Sequence, residues 1–324
     1  MQFGVGDFSG QRPPDSAVDH AQLYAELLDQ AEVIESVGLD SMWLSEHHFA
    51  EDGYMPSVLP MCAALLARTR RIVVATDRLA ASLHDRVRLA EDAIALDLLS
   101  GGRFVLGLSL CYRAEEFAGY DVDPMTDEAN LESIVPFLRK AFSGQDARDG
   151  ARVAHVTPLP SSPGEPRLMI AADGERGADR AAHLADMMMV DPTEPWPVVD
   201  AAVERFDRRQ GSTSGELVLF VYGGLSDAGR DAAWKEVEGG FRYMRHNYDR
   251  WMGRELTREI PPHHYRLLLG TPGECAEQAL EYRRRYGDRV HLVLRCNYPG
   301  MADAAVRRQI ELWGQAARMV RAKA

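Results

Sequence analysis

Short apolar runs alternating with helical stripes constrain this chain more than any other feature. Runs suited to strands occupy Gln2–Phe8, Met42–Ser45, Ile72–Thr76, Phe104–Leu108, Leu168–Ala172, Met187–Val190, Leu217–Tyr222 and Val290–Leu294. Between them, apolar residues recur at helical spacing: Leu23, Leu27, Ala31, Ile34 and Val37 before Gly38, then Val58, Cys62 and Leu65. Val87, Ala90, Ile94 and Leu98 precede Gly101-Gly102, and Leu131, Ile134, Leu138 and Phe142 form the next stripe. Further helices are predicted around Ala178–Ala185 and from about Ala302 to Ala322, the last with Val306, Ile310, Trp313 and Ala317 on one face. Periods switching repeatedly between two and 3.6 predict parallel βα units, and eight of them close into a (β/α)8 TIM barrel. An open doubly wound sheet is the alternative, but no strand is followed by GxGxxG, and Gly4-x-Gly6 lacks the third glycine.

The 324 residues are read as one domain, residues 1–324, with 46% hydrophobic residues to fill its core. A Pro-, Gly- and Ser-rich stretch from Ser143 to Pro166 reads as a loop. Between strands seven and eight, Leu225–Leu269 forms an insertion: an amphipathic helix bearing Trp234 and Phe241, then a lid from Arg254 to Tyr265 that includes His263 and His264. A net charge of −12 disfavours nucleic acid and anionic membranes as partners. No apolar run is long enough to span a bilayer and no secretory signal is visible, so a cytoplasmic location is expected. Cys62, Cys111, Cys275 and Cys296 show neither a zinc-like nor a disulfide-like spacing.

In such a barrel the carboxyl ends of the strands line the active site. The second strand leaves through Glu46, His47 and His48, so at least one histidine should face the cleft. Strand alternation predicts that the two rings point to opposite sides. Other exits bring Asp7 and Phe8, Thr76-Asp77-Arg78, Ser109-Leu110-Cys111, Asp173-Gly174, Asp191, Tyr222, and Arg295 with Asn297. His47, His48, His84, Asp77 and Asp85 offer metal donors, but no HxH or HExxH pattern places them together, and no metal is expected. A serine hydrolase is disfavoured because Ser109 is followed two residues later by Cys111, where the nucleophile elbow needs glycine.

The segments Trp43–Phe49, Leu83–Asp92, Leu96–Gly107, Tyr112–Phe117, Gly270–Gln278 and His291–Met301, in this order, carry a resemblance to the bacterial luciferase-like monooxygenases. These are TIM-barrel oxidoreductases that use flavin or deazaflavin, and the Glu46-His47-His48-Phe49 form is similar to the flavin branch. The resemblance implies an enzyme that binds reduced FMN delivered by a flavin reductase and uses O2 to oxygenate a small molecule. The deazaflavin F420 is the alternative cofactor. It implies a homodimer, or a heterodimer with a related subunit, as partner state. His47 matches the family's catalytic histidine and His48 its neighbour. By the same resemblance Asp77, Arg78, Ser109, Leu110 and Tyr112 occupy flavin-site positions, and Asp173, Gly174, Arg176 and Gly177 form the turn that meets the phosphate.

The departures matter too. Leu110 stands where many relatives carry a phosphate-binding arginine, and Asp77-Arg78 stand where they carry small apolar residues. Either Arg78, Arg113 or Arg176 replaces the missing cation, or the flavin site is weakened and the chain is a non-catalytic partner subunit. Phe8, Phe49, Tyr54, Met55 and Tyr112 predict a pocket for an apolar or aromatic substrate.

Overall fold

The computed structural model describes residues 1–161, 166–172, 174–210, 215–254 and 266–323. The chain begins β1 (Gln2–Phe8), α1 (His20–Ser36), β2 (Ser41–Leu44), α2 (Val58–Arg68), β3 (Val73–Thr76), a short β4 (Leu79–Ala80) and α3 (Arg86–Ser100). It continues through β5 (Phe104–Ser109), α4 (Ala114–Gly119), α5 (Asp127–Phe142), the hairpin β6 (Ala147–Asp149) and β7 (Arg152–Ala154), β8 (Arg167–Ala172) and α6 (Gly174–Leu184). The last part comprises β9 (Met187–Val190), α7 (Trp196–Gln210), β10 (Glu216–Leu225), α8 (Arg230–Trp251), β11 (Leu267–Gly270), α9 (Pro272–Tyr286), β12 (Val290–Arg295) and α10 (Asp303–Ala322).

Eight strands pair in parallel in the order β1-β2-β3-β5-β8-β9-β10-β12, and β12 returns to β1 with Gln2 opposite His291. The (β/α)8 TIM barrel is therefore closed. Its lumen is filled by Trp43, Ala75, Val105, Met169, Ala171, Met187, Met189, Val218, Phe220 and Val293. Trp43 meets Phe220 edge-on across this lumen, with ring centroids 5.8 Å apart. Unbranched methionines suit such an irregular interior, because three rotatable bonds let them fill gaps between rigid neighbours. The larger outer core lies between the barrel wall and the helices and includes Phe3, Leu106, Ile170, Leu292 and Trp313.

The helices begin and end where local chemistry dictates. Thr271 and Glu274 form a reciprocal capping box, with Pro272 in the first turn of α9. Asp85 accepts the Val87 and Arg88 amides at the start of α3, and Gly101 closes that helix in a left-handed conformation.

Beyond the expected elements, the structure adds β4, α4, the β6–β7 hairpin inside the predicted loop, α7, α9, and β11, which extends the sheet beside the end of β10. The insertion before β12 is α8 followed by β11, and the predicted lid with His263 and His264 lies outside the described residues apart from Arg254. Among the described residues no helix is long and apolar enough to cross a membrane.

β3 and β5 approach each other closely at Gly107. Its amide donates to Thr76 Oγ1 at 2.7 Å, and Thr76 Oγ1 donates back to the Gly107 carbonyl at 2.9 Å. A Cβ on Gly107 would lie 2.2 Å from the Thr76 carbonyl oxygen, a backbone atom that cannot rotate away. Gly107→Ala should therefore lower the unfolding free energy by about 1–3 kcal/mol, the usual cost of overpacking, read from urea denaturation. An unchanged midpoint would show that the end of β3 yields freely.

Candidate active site

The carboxyl ends of the strands surround a cavity of about 510 Å3. Its lower wall is apolar where the lumen filling ends, at Met189 and Phe220, and Ala80 and Leu110 also line the cavity. Above this layer the lining turns polar, with Asp7, Asp77, Arg78, Ser109, Asp191 and Tyr222. Two ion pairs cross this region: Arg295, itself buried, meets Asp7, and Arg78 Nη2 lies 2.6 Å from Asp191 Oδ2. Asp77 is also buried, and its Oδ1 has no hydrogen-bond partner. Burial first, and then the negative charge of Asp7, push its carboxyl well above the usual carboxylate range, against the opposing pull of Arg78.

His47 is held on a carboxylate. Glu116, only 2% exposed, is the third residue of α4, where its Oε1 is 2.8 Å from His47 Nδ1 and also accepts the His48 amide at 2.8 Å. Its other oxygen accepts the Cys111 thiol at 3.2 Å. Burial disfavours the Glu116 charge, but the hydrogen bond and charge offered by His47 outweigh it, so the carboxyl is held below its usual range. An ionised carboxylate only accepts hydrogen bonds, so His47 Nδ1 must carry the proton it donates. In neutral His47 the remaining nitrogen, Nε2, is then an acceptor, and the Tyr112 hydroxyl donates to it at 2.9 Å. The ring is enclosed by Tyr54, Tyr112 and Trp251, at centroid distances of 4.7, 5.2 and 5.1 Å.

A second carboxylate organises the other histidines. Glu46 lies 3.4 Å from His48 Nε2, and His84 Nε2 is 3.1 Å from each of its oxygens. Burial raises the Glu46 carboxyl, yet the proximity of His48 and the hydrogen bonds of His84 prevail and hold it at about 2. His48 Nδ1 meets the Tyr120 hydroxyl at 2.9 Å.

Helix α8 roofs the site. Arg245, Tyr248, Met252 and Arg254 reach the cavity from it and from the residues that follow it. Asp52 anchors the helix: its Oδ2 accepts from Gln11 Nε2 at 2.7 Å and from Tyr243 Oη and Asn247 Nδ2 at 3.0 Å each. One buried carboxylate thereby ties the loops after β1 and β2 to the roof.

Of the residues singled out from sequence, His47, His48, Asp77, Arg78, Ser109, Leu110, Tyr112 and Gly174 line the cavity together. β2 ends at Leu44, before the two histidines, yet their rings still turn to different neighbours: His47 packs among Tyr54, Tyr112 and Trp251, and His48 against Phe49 and Tyr120. Arg176 is not part of the lining; it is exposed and pairs with Glu128 at 2.7 Å. Gly177 packs beneath, where a Cβ would be 3.0 Å from the Ala172 backbone. Asp173 lies outside the described residues. Arg113 turns inward, 3.3 Å from Glu116 and stacked 4.4 Å over Trp251, so of the three arginines considered as replacements only Arg78 faces the cavity. Asp85 serves as a helix cap and an ion-pair partner of Arg152, and among the described residues no cluster of three or more His, Cys, Asp or Glu could hold a metal.

Glu116, Asp52 and the α8 residues Tyr248 and Trp251 carry no role in the sequence reading. Glu116 does lie in a motif shared with the family, but its partner is 69 residues away and no spacing rule links them.

A parallel α/β barrel with a cofactor-sized cleft at its strand ends, and a carboxylate-anchored histidine within that cleft, is the architecture of an enzyme. The chain belongs to the luciferase-like monooxygenase family, which it matches over residues 1–289. It is 31% identical over 129 residues to the alkanal monooxygenase β chain of Photorhabdus luminescens, a match covering 40% of this chain and 40% of that relative. The match thus spans less than half of that relative's length. The fold superposes on the monooxygenase RslO1 of Streptomyces bottropensis with a TM-score of 0.83 and 22% identity, covering all of both chains. It also superposes on the oxygenating constituent of 3,6-diketocamphane monooxygenase of Pseudomonas putida, solved with FMN, with a TM-score of 0.76, 15% identity and coverage of 96% and 97%.

The Glu46 cluster makes a pH prediction. Its folded-state value of about 2 lies below the roughly 4.3 of an unfolded glutamate, so its contribution is complete above that value and lost as pH falls from about 4.3 towards 2. Chemical denaturation across that window should show a steeper acid loss for the wild type than for Glu46→Gln, which cannot titrate. Parallel profiles would contradict this account of the cluster.

Proposed function

We propose that this protein is a flavin-dependent monooxygenase that takes reduced FMN from a partner reductase and uses O2 to oxygenate an apolar or aromatic small molecule. The observation that carries the reading is His47, fixed through Nδ1 by Glu116 and presenting Nε2, with Tyr112, to the cavity.

The residues present suit a flavin. The cavity, about 510 Å3, falls within the roughly 300–1,000 Å3 of small-molecule and cofactor sites. Met189, Phe220, Ala80 and Leu110 offer an apolar wall to a planar ring, and Asp77 leaves a buried polar atom without a partner. Gly174, at the start of α6, places helix amides at the rim, where a phosphate is favoured, with Arg78, Arg245 and Arg254 as nearby cations. Leu110 supplies no charge to that phosphate. When bound, reduced flavin supplies the electrons that activate O2.

The chain's own residues supply proton control and exclusion of water. His47 Nε2 can accept a proton from the reacting group and return it, while Glu116 stabilises the imidazolium that forms. Tyr112 sets the position of that nitrogen until ligand replaces its hydroxyl. Tyr248, Trp251 and Met252 close the cleft from above, which keeps water from competing with the substrate. Two-subunit assembly, from two copies of this chain or one copy and a related chain, belongs to the same proposal.

Anaerobic fluorescence titration tests the reading. Reduced FMN should bind more tightly than oxidised FMN, and purified protein should carry little flavin. Failure to quench or to protect reduced FMN at high protein concentration would overturn it. Tight binding of F420 alone, without oxygen consumption, would replace it with deazaflavin chemistry. In oxygenation assays His47→Ala or His47→Asn should lower turnover at least about a hundredfold, the scale of a positioned acid–base group, and His48→Ala should do less. Small, equal losses from both histidines would mean that the pair only shapes the pocket.

A further inference from the structure

Asp77 is a buried acid whose cost the protein does not offset within its own fold. Its side chain is 2% exposed, it borders the cavity at the exit of β3, and its Oδ1 has no hydrogen-bond partner. The neighbouring carboxylates each have a cation: Asp7 has Arg295, and Asp191 has Arg78 together with the Thr193 amide and hydroxyl. Asp77 is paired with neither arginine. A lone carboxylate in such a place is costly enough to take up a proton, and the surroundings act in that direction. Burial and the charges of Asp7 and Asp191 favour the neutral acid, opposed by Arg78 and Arg295, both already engaged.

A neutral carboxyl group carries one donor and one acceptor side by side. That pair is the complement of an adjacent N–H and C=O on a planar ring. We propose that Asp77 is a specificity residue, reading the imide edge of the flavin pyrimidine ring by accepting from its N–H and donating to the neighbouring carbonyl. The inference rests on the flavin reading above and adds to it which edge of the ring faces the exit of β3. It also gives a reason for an acid in a position that a purely apolar contact with the ring would not need. FMN, riboflavin and F420 share this edge, so Asp77 selects the ring and not the phosphate.

Analogues of the ring separate this role from simple packing. Anaerobic titrations would compare reduced riboflavin with reduced 3-methylriboflavin, which lacks the N–H, in wild type, Asp77→Asn and Asp77→Leu. Wild type should prefer riboflavin at least about tenfold, as expected when a buried polar group loses its partner. Asp77→Asn, which keeps a donor and an acceptor, should retain most of that preference. Asp77→Leu should bind the two ligands alike, while melting no lower than wild type because it removes an unpaired buried acid. Equal wild-type affinity for both ligands, or full discrimination surviving in Asp77→Leu, would overturn the inference and leave the flavin reading standing. Binding of no flavin or deazaflavin by wild type would remove both.

Discussion

The site depends on one carboxylate. Glu116 fixes the Nδ1 side of His47, accepts the His48 amide, takes the Cys111 thiol and lies 3.3 Å from Arg113. Through these contacts α4 is fastened to the chain leaving β2, and the histidine ring is fixed before any ligand arrives. A single deletion here would leave a buried imidazole N–H, a buried amide and a buried guanidinium each short of a partner. The roughly 1–3 kcal/mol cost of each such loss explains why the cluster holds together. Trp251 adds a lid to it, packed over Arg113 at 4.4 Å and beside His47 at 5.1 Å.

The barrel makes this arrangement possible by separating apolar from polar along its axis. Trp43, Met169, Met187 and Val218 fill the lumen and deny water a route from below. At the amino-terminal end a buried polar set gathers around Ser41, whose Oγ lies 2.7 Å from both His291 Nε2 and Trp43 Nε1. Burial holds that histidine neutral, far below its usual range. The contrast with His47 is instructive: one histidine sits in the lumen without a carboxylate, and the other sits at the mouth on an ionised one. The same residue type is enclosed in one place and lines the cleft in the other.

Much of this was legible in the sequence. The apolar runs Gln2–Phe8 and Met187–Val190 coincide with β1 and β9, because short runs bounded by polar residues leave little freedom in where a buried strand begins. The histidine pair at the exit of β2 also pointed to the cavity. What sequence could not supply was the pairing of distant residues. Glu116 with His47, and Asp52 with Tyr243 and Asn247, are joined only by the closed barrel and the return of α8 across its mouth. The strand stops at Leu44, yet the rings of His47 and His48 still part, one towards Tyr112 and Trp251 and the other towards Tyr120. Arg176 failed to reach the cavity because Glu128 on α5 holds it at the surface. The hairpin β6–β7 carries no periodic signal because its strands are only three residues long.

The central claim is that Glu116 sets His47 with its proton on Nδ1 and leaves Nε2 to face the cleft. Nitrogen-15 NMR of the histidine rings, recorded where the His47 ring is neutral, reads this tautomer directly in the unliganded protein. The account predicts that His47 is protonated at Nδ1 with Nε2 bare, and that Glu116→Gln weakens or removes that preference. A His47 protonated at Nε2, with a bare Nδ1 facing Glu116, would contradict it.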